Sequence, residues 1–117
     1  MAKVPIYRLI KRKRLRPFVK FAHDVHNVMG SLDLDTTSDA FKLDGLGISR
    51  DTLFGIMVQS GIIGENGFPL QEYISQGFFI MNAVAKEDGA IYAETRVTGK
   101  GLIFLNGWIR GWLGIEG

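Results

Sequence analysis

The sequence predicts an α+β fold: a winged helix-turn-helix with a β-hairpin wing, preceded by a basic N-terminal arm and helix. Three observations predict it. Two short helical patterns flank the turn Asp44-Gly45-Leu46-Gly47, the outline of a helix-turn-helix. Two β-rich runs meet at Asp88-Gly89, a strong hairpin signal. The first 20 residues hold eight lysines and arginines and no acid.

Taken in order, Val4 to Ile10 is apolar enough for a short strand or an ordered arm. The run Lys11-Arg12-Lys13-Arg14 leads to Arg16-Pro17, and Pro17 suits a first helical turn, where its missing N–H costs nothing. Phe18, Phe21, Ala22, Val25 and Val28 or Met29 then recur at spacings of three and four. This gives a helix with one apolar face, ended by Gly30 and expected to pack on the core or on a second subunit. Ser31 to Thr37 reads as a connector or short edge strand. It separates residues 1–30, the basic arm and amphipathic helix, from residues 38–117, the winged-helix domain.

Within that domain Ser38 to Leu43 forms a short helix, and Ser49 caps a second helix that runs to about Ser60, with Gly61 at its end. Leu53, Phe54, Ile56 and Met57 supply its inward face. Ile62-Ile63 reads as a short strand, Gly64-Glu65-Asn66-Gly67 as a turn, and Pro69 to Gln76 as about two helical turns closed by Gly77. Phe78 to Val84 and Ala90 to Val97 are the wing strands, joined by Lys86-Glu87-Asp88-Gly89. Thr98 caps a last helix from about Lys100, where Leu102, Leu105, Trp108, Ile109 and Trp112 form a broad apolar stripe.

The 117 residues suit one modest core. With no cysteine, disulfides, thiolate zinc sites and a thiolate nucleophile are excluded. The most apolar stretch, Gly101 to Ile115, includes Arg110 and falls short of the roughly 20 residues that span a bilayer. No secretory h-region follows the first basic residues. The expected location is the cytoplasm of a bacterial host, with a virion as the alternative, and no membrane partner is expected.

The net charge of +2 hides an asymmetry, because the residues after Lys20 hold 6 basic and 12 acidic side chains, a net of −6. A basic arm ahead of an acidic body can neutralise phosphates through counterion release, pair with an acidic partner, or dock on its own body.

Several short pieces in fixed order resemble one family. They are Gly47-Ile48-Ser49 before Leu53-Phe54, then Ser60-Gly61-Ile62-Ile63, then Pro69-Leu70-Gln71-Glu72-Tyr73-Ile74 with Gly77-Phe78-Phe79, a hairpin, and Val97-Thr98-Gly99-Lys100-Gly101. Together they resemble the C-terminal domain of phage antirepressors, the KilAC type, over roughly residues 38–112. The resemblance implies a viral regulator that relieves lysogenic repression or binds DNA. Antirepressors of this type usually carry a separate N-terminal domain that sets partner choice. Here about 37 residues precede the matching region, so a stand-alone descendant with a different partner is expected.

If the helix from Arg50 to Ser60 reads DNA, its outward donors are Arg50, Thr52, Gln59 and Ser60, opposed by Asp51. The candidate DNA-binding residues are therefore Lys11, Arg12, Lys13, Arg14 and Arg16 on phosphates, Arg50 and Gln59 near the groove, and Lys86 and Arg96 in or beside the wing. The alternatives are a protein-binding antagonist of a repressor or host protein, and a virion component. Phe104, Trp108, Ile109 and Trp112 form the candidate oligomer or partner face, with a homodimer as one outcome. His23 and His26 share a helix face but lack a third ligand, so no metal is expected. Thr98-Gly99-Lys100-Gly101 lacks the glycine spacing of a phosphate loop. No catalytic arrangement and no cofactor are indicated.

Overall fold

The computed structural model describes the backbone of residues 6–114 and the side chains of residues 17–114. Five helices and three strands follow in the order α1 (Ile6–Val28), β1 (Ser31–Asp33), α2 (Leu34–Leu43), α3 (Arg50–Gln59), α4 (Gln71–Ser75), β2 (Phe79–Ala85), β3 (Ile91–Thr98) and α5 (Gly99–Leu113). The fold is α+β. The strands form one antiparallel sheet in the order β1-β3-β2, so the last strand lies between the first and the second.

The N-terminal half of α1 departs from expectation. Ile6 to Ile10 is helical rather than a strand, and the basic run continues the same helix. Its Leu, Ile, Lys and Arg residues are adequate helix formers, and no glycine interrupts them. Pro17 lies inside this helix, not in its first turn. It removes the N–H that would have bonded four residues back, at the point where the helix begins to contact the core. Val4 lies outside the described residues. Beyond Pro17 the expected spacing is partly used: Phe18, Ala22 and Val25 are buried, whereas Val28 and Met29 are exposed.

Ser31 to Asp33 forms the short edge strand β1, and α2 begins four residues earlier than Ser38 because Asp33 caps it, accepting from the Thr36 N–H at 2.7 Å. Ser49 caps α3 by accepting from the Thr52 N–H at 3.1 Å. Between the two helices, the Ser38 hydroxyl donates to the Ile48 carbonyl at 2.8 Å and fixes the turn. Ile62-Ile63 makes no strand, only the single bridge Ile63 to Pro69. The segment after Pro69 is helical only over Gln71–Ser75.

One core joins all layers. Phe41 of α2, Leu53 and Met57 of α3, Phe79 and Val97 of the sheet, and Leu102, Leu105 and Ile109 of α5 are each at most 1% exposed. Phe18, Ala22 and Val25 of α1 belong to the same cluster.

The end of β3 carries the tightest packing. Thr98 closes the strand and caps α5, accepting from the Gly101 N–H at 2.9 Å while its hydroxyl donates to the Gly77 carbonyl at 2.6 Å. A Cβ on Gly101 would overlap the Phe78 carbonyl, and one on Gly99 would overlap the Ala22 carbonyl of α1. These are backbone atoms and cannot swing aside. Asn106 and Arg110, one turn apart on α5, hold the end of α2: Asn106 donates to the Asp44 carboxylate at 2.8 Å and Arg110 at 2.7 Å.

Two glycines of α5 are thus predicted to respond with opposite sign. Gly101→Ala destabilises by about 3 kcal/mol, since the methyl has no room. Gly107→Ala, with nothing within 4 Å of its Cβ position, stabilises by about 0.5–1 kcal/mol through helix propensity. Thermal denaturation of both variants checks this, and two changes of equal sign contradict it.

Candidate nucleic-acid interface

Helix α3 is amphipathic in position if not in strength. Leu53, Ile56 and Met57 point into the core, leaving Arg50, Asp51, Thr52, Val58 and Gln59 exposed. Of the outward donors, Arg50 is shared by two carboxylates: its Nε lies 3.5 Å from Asp35 and its Nη1 3.6 Å from Asp51. Gln59 is exposed at the far end of the helix. The two are separated by nearly the full length of α3, so they address different ends of any groove.

The hairpin beyond the body is exposed. Its tip is closed by Asp88, which accepts from the Ala90 N–H at 2.9 Å, and Lys86 sits 5.2 Å over the Tyr92 ring. Lys86, Glu87 and Asp88 leave the tip with a net charge of −1. Arg96 lies at the sheet base, where its side chain is one quarter exposed, and it donates to the Ser31 hydroxyl at 2.8 Å and the Ser31 carbonyl at 3.0 Å. Its guanidinium bonds β3 to β1 and pairs with Glu94 at 3.4 Å.

Between α3 and β3 lies a groove of about 370 Å³, lined by Asp33, Asp35, Arg50, Phe54, Tyr92 and Glu94 among others. Its charge is mixed and leans acidic. The Asp33 carboxyl is held below its usual range chiefly by the Thr36 backbone N–H, with smaller help from the Thr36 hydroxyl, Arg96 and Arg50, against a desolvation cost that pushes the other way.

The same economy runs through the rest of the described body. Lys20 pairs with Asp24 at 3.1 Å, Lys42 lies 3.9 Å from Asp39, Lys100 donates to the Gln76 carbonyl at 2.7 Å, and Arg110 pairs with Asp44 at 2.7 Å. Every lysine and arginine from Lys20 to Arg110 therefore has a partner within the chain. Lys11, Arg12, Lys13, Arg14 and Arg16 are brought together on the N-terminal half of α1; their side chains lie outside the described residues.

On α5, Ile109 is fully buried, while Trp108 is 41% and Trp112 47% exposed. Trp108 donates its indole N–H to the Ser60 hydroxyl at 3.1 Å. Phe104 is half-buried and stacked on Phe78, with centroids 4.2 Å apart. Only the two tryptophans of that stripe present large apolar area to solvent. His23 and His26 are exposed on α1 beside Lys100, and no group of three potential metal ligands occurs among the described residues. No described helix is long and apolar enough to cross a membrane.

The Asn106–Arg110–Asp44 network escapes sequence reading, since its partners are 62 and 66 residues apart. The Asp33 cap carries a readable signal, an aspartate three residues before Thr36 at the start of α2.

A family profile for the phage antirepressor protein KilAC domain matches residues 11–112. No curated protein and no solved structure gives a significant match.

The lowered Asp33 carboxyl has a pH consequence. Its folded value is below the unfolded 3.8, so its stabilising effect is complete above the unfolded value and is lost as pH falls through the folded one. Asp33→Ala is expected to cost about 1 kcal/mol at neutral pH. The variant also loses less stability than the parent on acidification below 3.8. Parallel acid-unfolding profiles for the two proteins contradict the assignment.

Proposed function

The chain belongs to the phage antirepressor KilAC domain family, a family of phage regulators, and from that premise we propose that it regulates transcription by binding DNA. In this reading α2 and α3 form a helix-turn-helix, the β2–β3 hairpin is the wing, and the N-terminal half of α1 anchors phosphates. The observation that carries it is the order of elements. A strand precedes the two helices, a hairpin follows them after the short α4, and the sheet runs β1-β3-β2, an order that supports the winged helix-turn-helix reading.

The residues divide by task. Lys11, Arg12, Lys13, Arg14 and Arg16 supply sequence-independent phosphate contacts, because they are the concentrated positive charge of the chain. Arg50 and Gln59 approach base edges from α3. Arg50 must first exchange Asp35 and Asp51 for DNA, which is cheap for half-exposed ion pairs of this length. Lys86 stands at a tip of opposite net charge and Arg96 is bonded to Ser31, so both contribute less. The expected site of action is the cytoplasm of the bacterial host.

A second reading has its own support. Asp35, Asp39 and Asp51 are exposed on the outer surface of α2 and α3, and their field opposes a duplex. A protein antagonist that engages a repressor or a host protein through this surface is the alternative.

Binding of the full chain to a labelled random-sequence duplex across a salt series separates the two. DNA binding predicts a steep loss of affinity with salt. Replacing Lys11, Arg12, Lys13, Arg14 and Arg16 by glutamine lowers the log–log slope by about 0.9 for each phosphate contact removed. Absence of binding at low salt excludes the DNA reading and directs attention to a protein partner.

A further inference from the structure

Strand β2 is an edge of the sheet, since β3 covers only its other side. Its seven residues, Phe79-Ile80-Met81-Asn82-Ala83-Val84-Ala85, include no charge, no proline and no glycine, and they pair with β3 in unbroken register without a bulge. Exposed edges are ordinarily protected by charges, prolines, bulges or covering elements. This one has none of the first three, and its distal residues Asn82, Ala83 and Ala85 are exposed.

The direction of its free hydrogen-bonding groups follows from the ladder. The Thr98 N–H donates to the Phe78 carbonyl and the Lys86 N–H to the Ala90 carbonyl, so the even-numbered residues of this strand bond inward to β3. By alternation, Phe79, Met81, Ala83 and Ala85 present their N–H and C=O groups outward. Among the described residues, no backbone hydrogen bond to another element engages them.

We propose that β2 pairs with β2 of a second copy of this chain, antiparallel about a two-fold axis at Asn82, joining the two sheets into one. That register places Phe79 opposite Ala85 and Met81 opposite Ala83 of the second copy, so every outward residue meets an outward residue. The ladder then holds about eight interchain hydrogen bonds, close to the roughly ten of a standard protein interface. On one face Ile80, which is 46% exposed, lies opposite Val84 of the second copy. Tyr92, 44% exposed and paired with Val84, extends that apolar row. With no charge along the strand, the two copies meet without like-charge opposition. The open side of β3 is a poorer candidate, because Glu94, Arg50 and Asp35 line the groove beside it. The proposal does not rest on DNA binding, although it engages the same hairpin that the DNA-binding reading uses as a wing. Each hairpin tip lies against the second copy, giving the hairpin a role in assembly.

Asn82 lies opposite itself in this register and beside Glu94 within the chain, so Asn82→Asp creates a row of four carboxylates only in the paired state. The parent chain is expected to sediment as a dimer at high micromolar concentration, and N82D to weaken the dimer by about tenfold or more. Mixing N82D with N82K restores association as a heterodimer, resolved by native mass spectrometry. A monomeric parent overturns the proposal, as does a dimer that N82D leaves unchanged, which would place the contact elsewhere, such as the exposed tryptophans of α5. So does a mixture with no heterodimer preference. Circular dichroism of each variant confirms that the exposed substitution leaves the fold intact.

Discussion

The junction at Thr98 to Gly101 is the constraint on which the rest of the structure depends. One threonine hydroxyl closes the sheet on Gly77 and caps α5, and two glycines allow α5 to start directly against the backbones of Phe78 and Ala22. Strand β3, helix α5, the entry to β2 and the C-terminal half of α1 thereby meet within one turn. The Leu102, Leu105 and Ile109 positions are set from that point and lie fully buried in the one core cluster. A stretch that superficially resembles a phosphate loop is thus required by packing: the glycines leave no room for side chains, and Lys100 reaches back to the Gln76 carbonyl.

Charge is organised as firmly as the core. The body answers its own cations with carboxylates, carbonyls and aromatic faces, so its arginines bond one element to another: Arg96 joins β3 to β1 and Arg110 joins α5 to the end of α2. The more exposed pairs of Lys20, Lys42 and Arg50 add little to stability singly, but with these part-buried ones they reduce the free positive field of the body. The remaining concentration of positive charge lies on the N-terminal half of α1, on the far side of Pro17 from the core-packed half. A division follows between a helix segment that concentrates positive charge in the sequence and a body whose cations are answered within the chain.

Elements with unambiguous punctuation are legible in the sequence. Ser49 and Gly61 bracket α3, Asp88-Gly89 marks the hairpin, and Thr98 marks the start of α5. Pro17 misleads, because a proline after a basic run fits a helix start, yet good helix formers on both sides carry the helix through it. Asp33 and Asp35 read as a polar connector because the cap depends on where α2 begins, and α2 begins four residues earlier than Ser38, at Leu34, where the leucine packs into the core. The tryptophan stripe combines two arcs of one helix. Leu102, Leu105 and Ile109 are core, whereas Trp108 and Trp112 lie at its border. Residues at the candidate interface are legible by type and not by availability, since a sequence does not disclose that Arg96 is bonded to Ser31 or that Arg50 lies between two aspartates.

The most direct test of DNA binding through α1 and α3 is amide chemical-shift mapping of the full chain during titration with a short duplex at low salt. Perturbations concentrated on the N-terminal half of α1 and the exposed side of α3, with α5 unaffected, are the predicted result. Shifts confined to α5, or none at any DNA concentration, would contradict it.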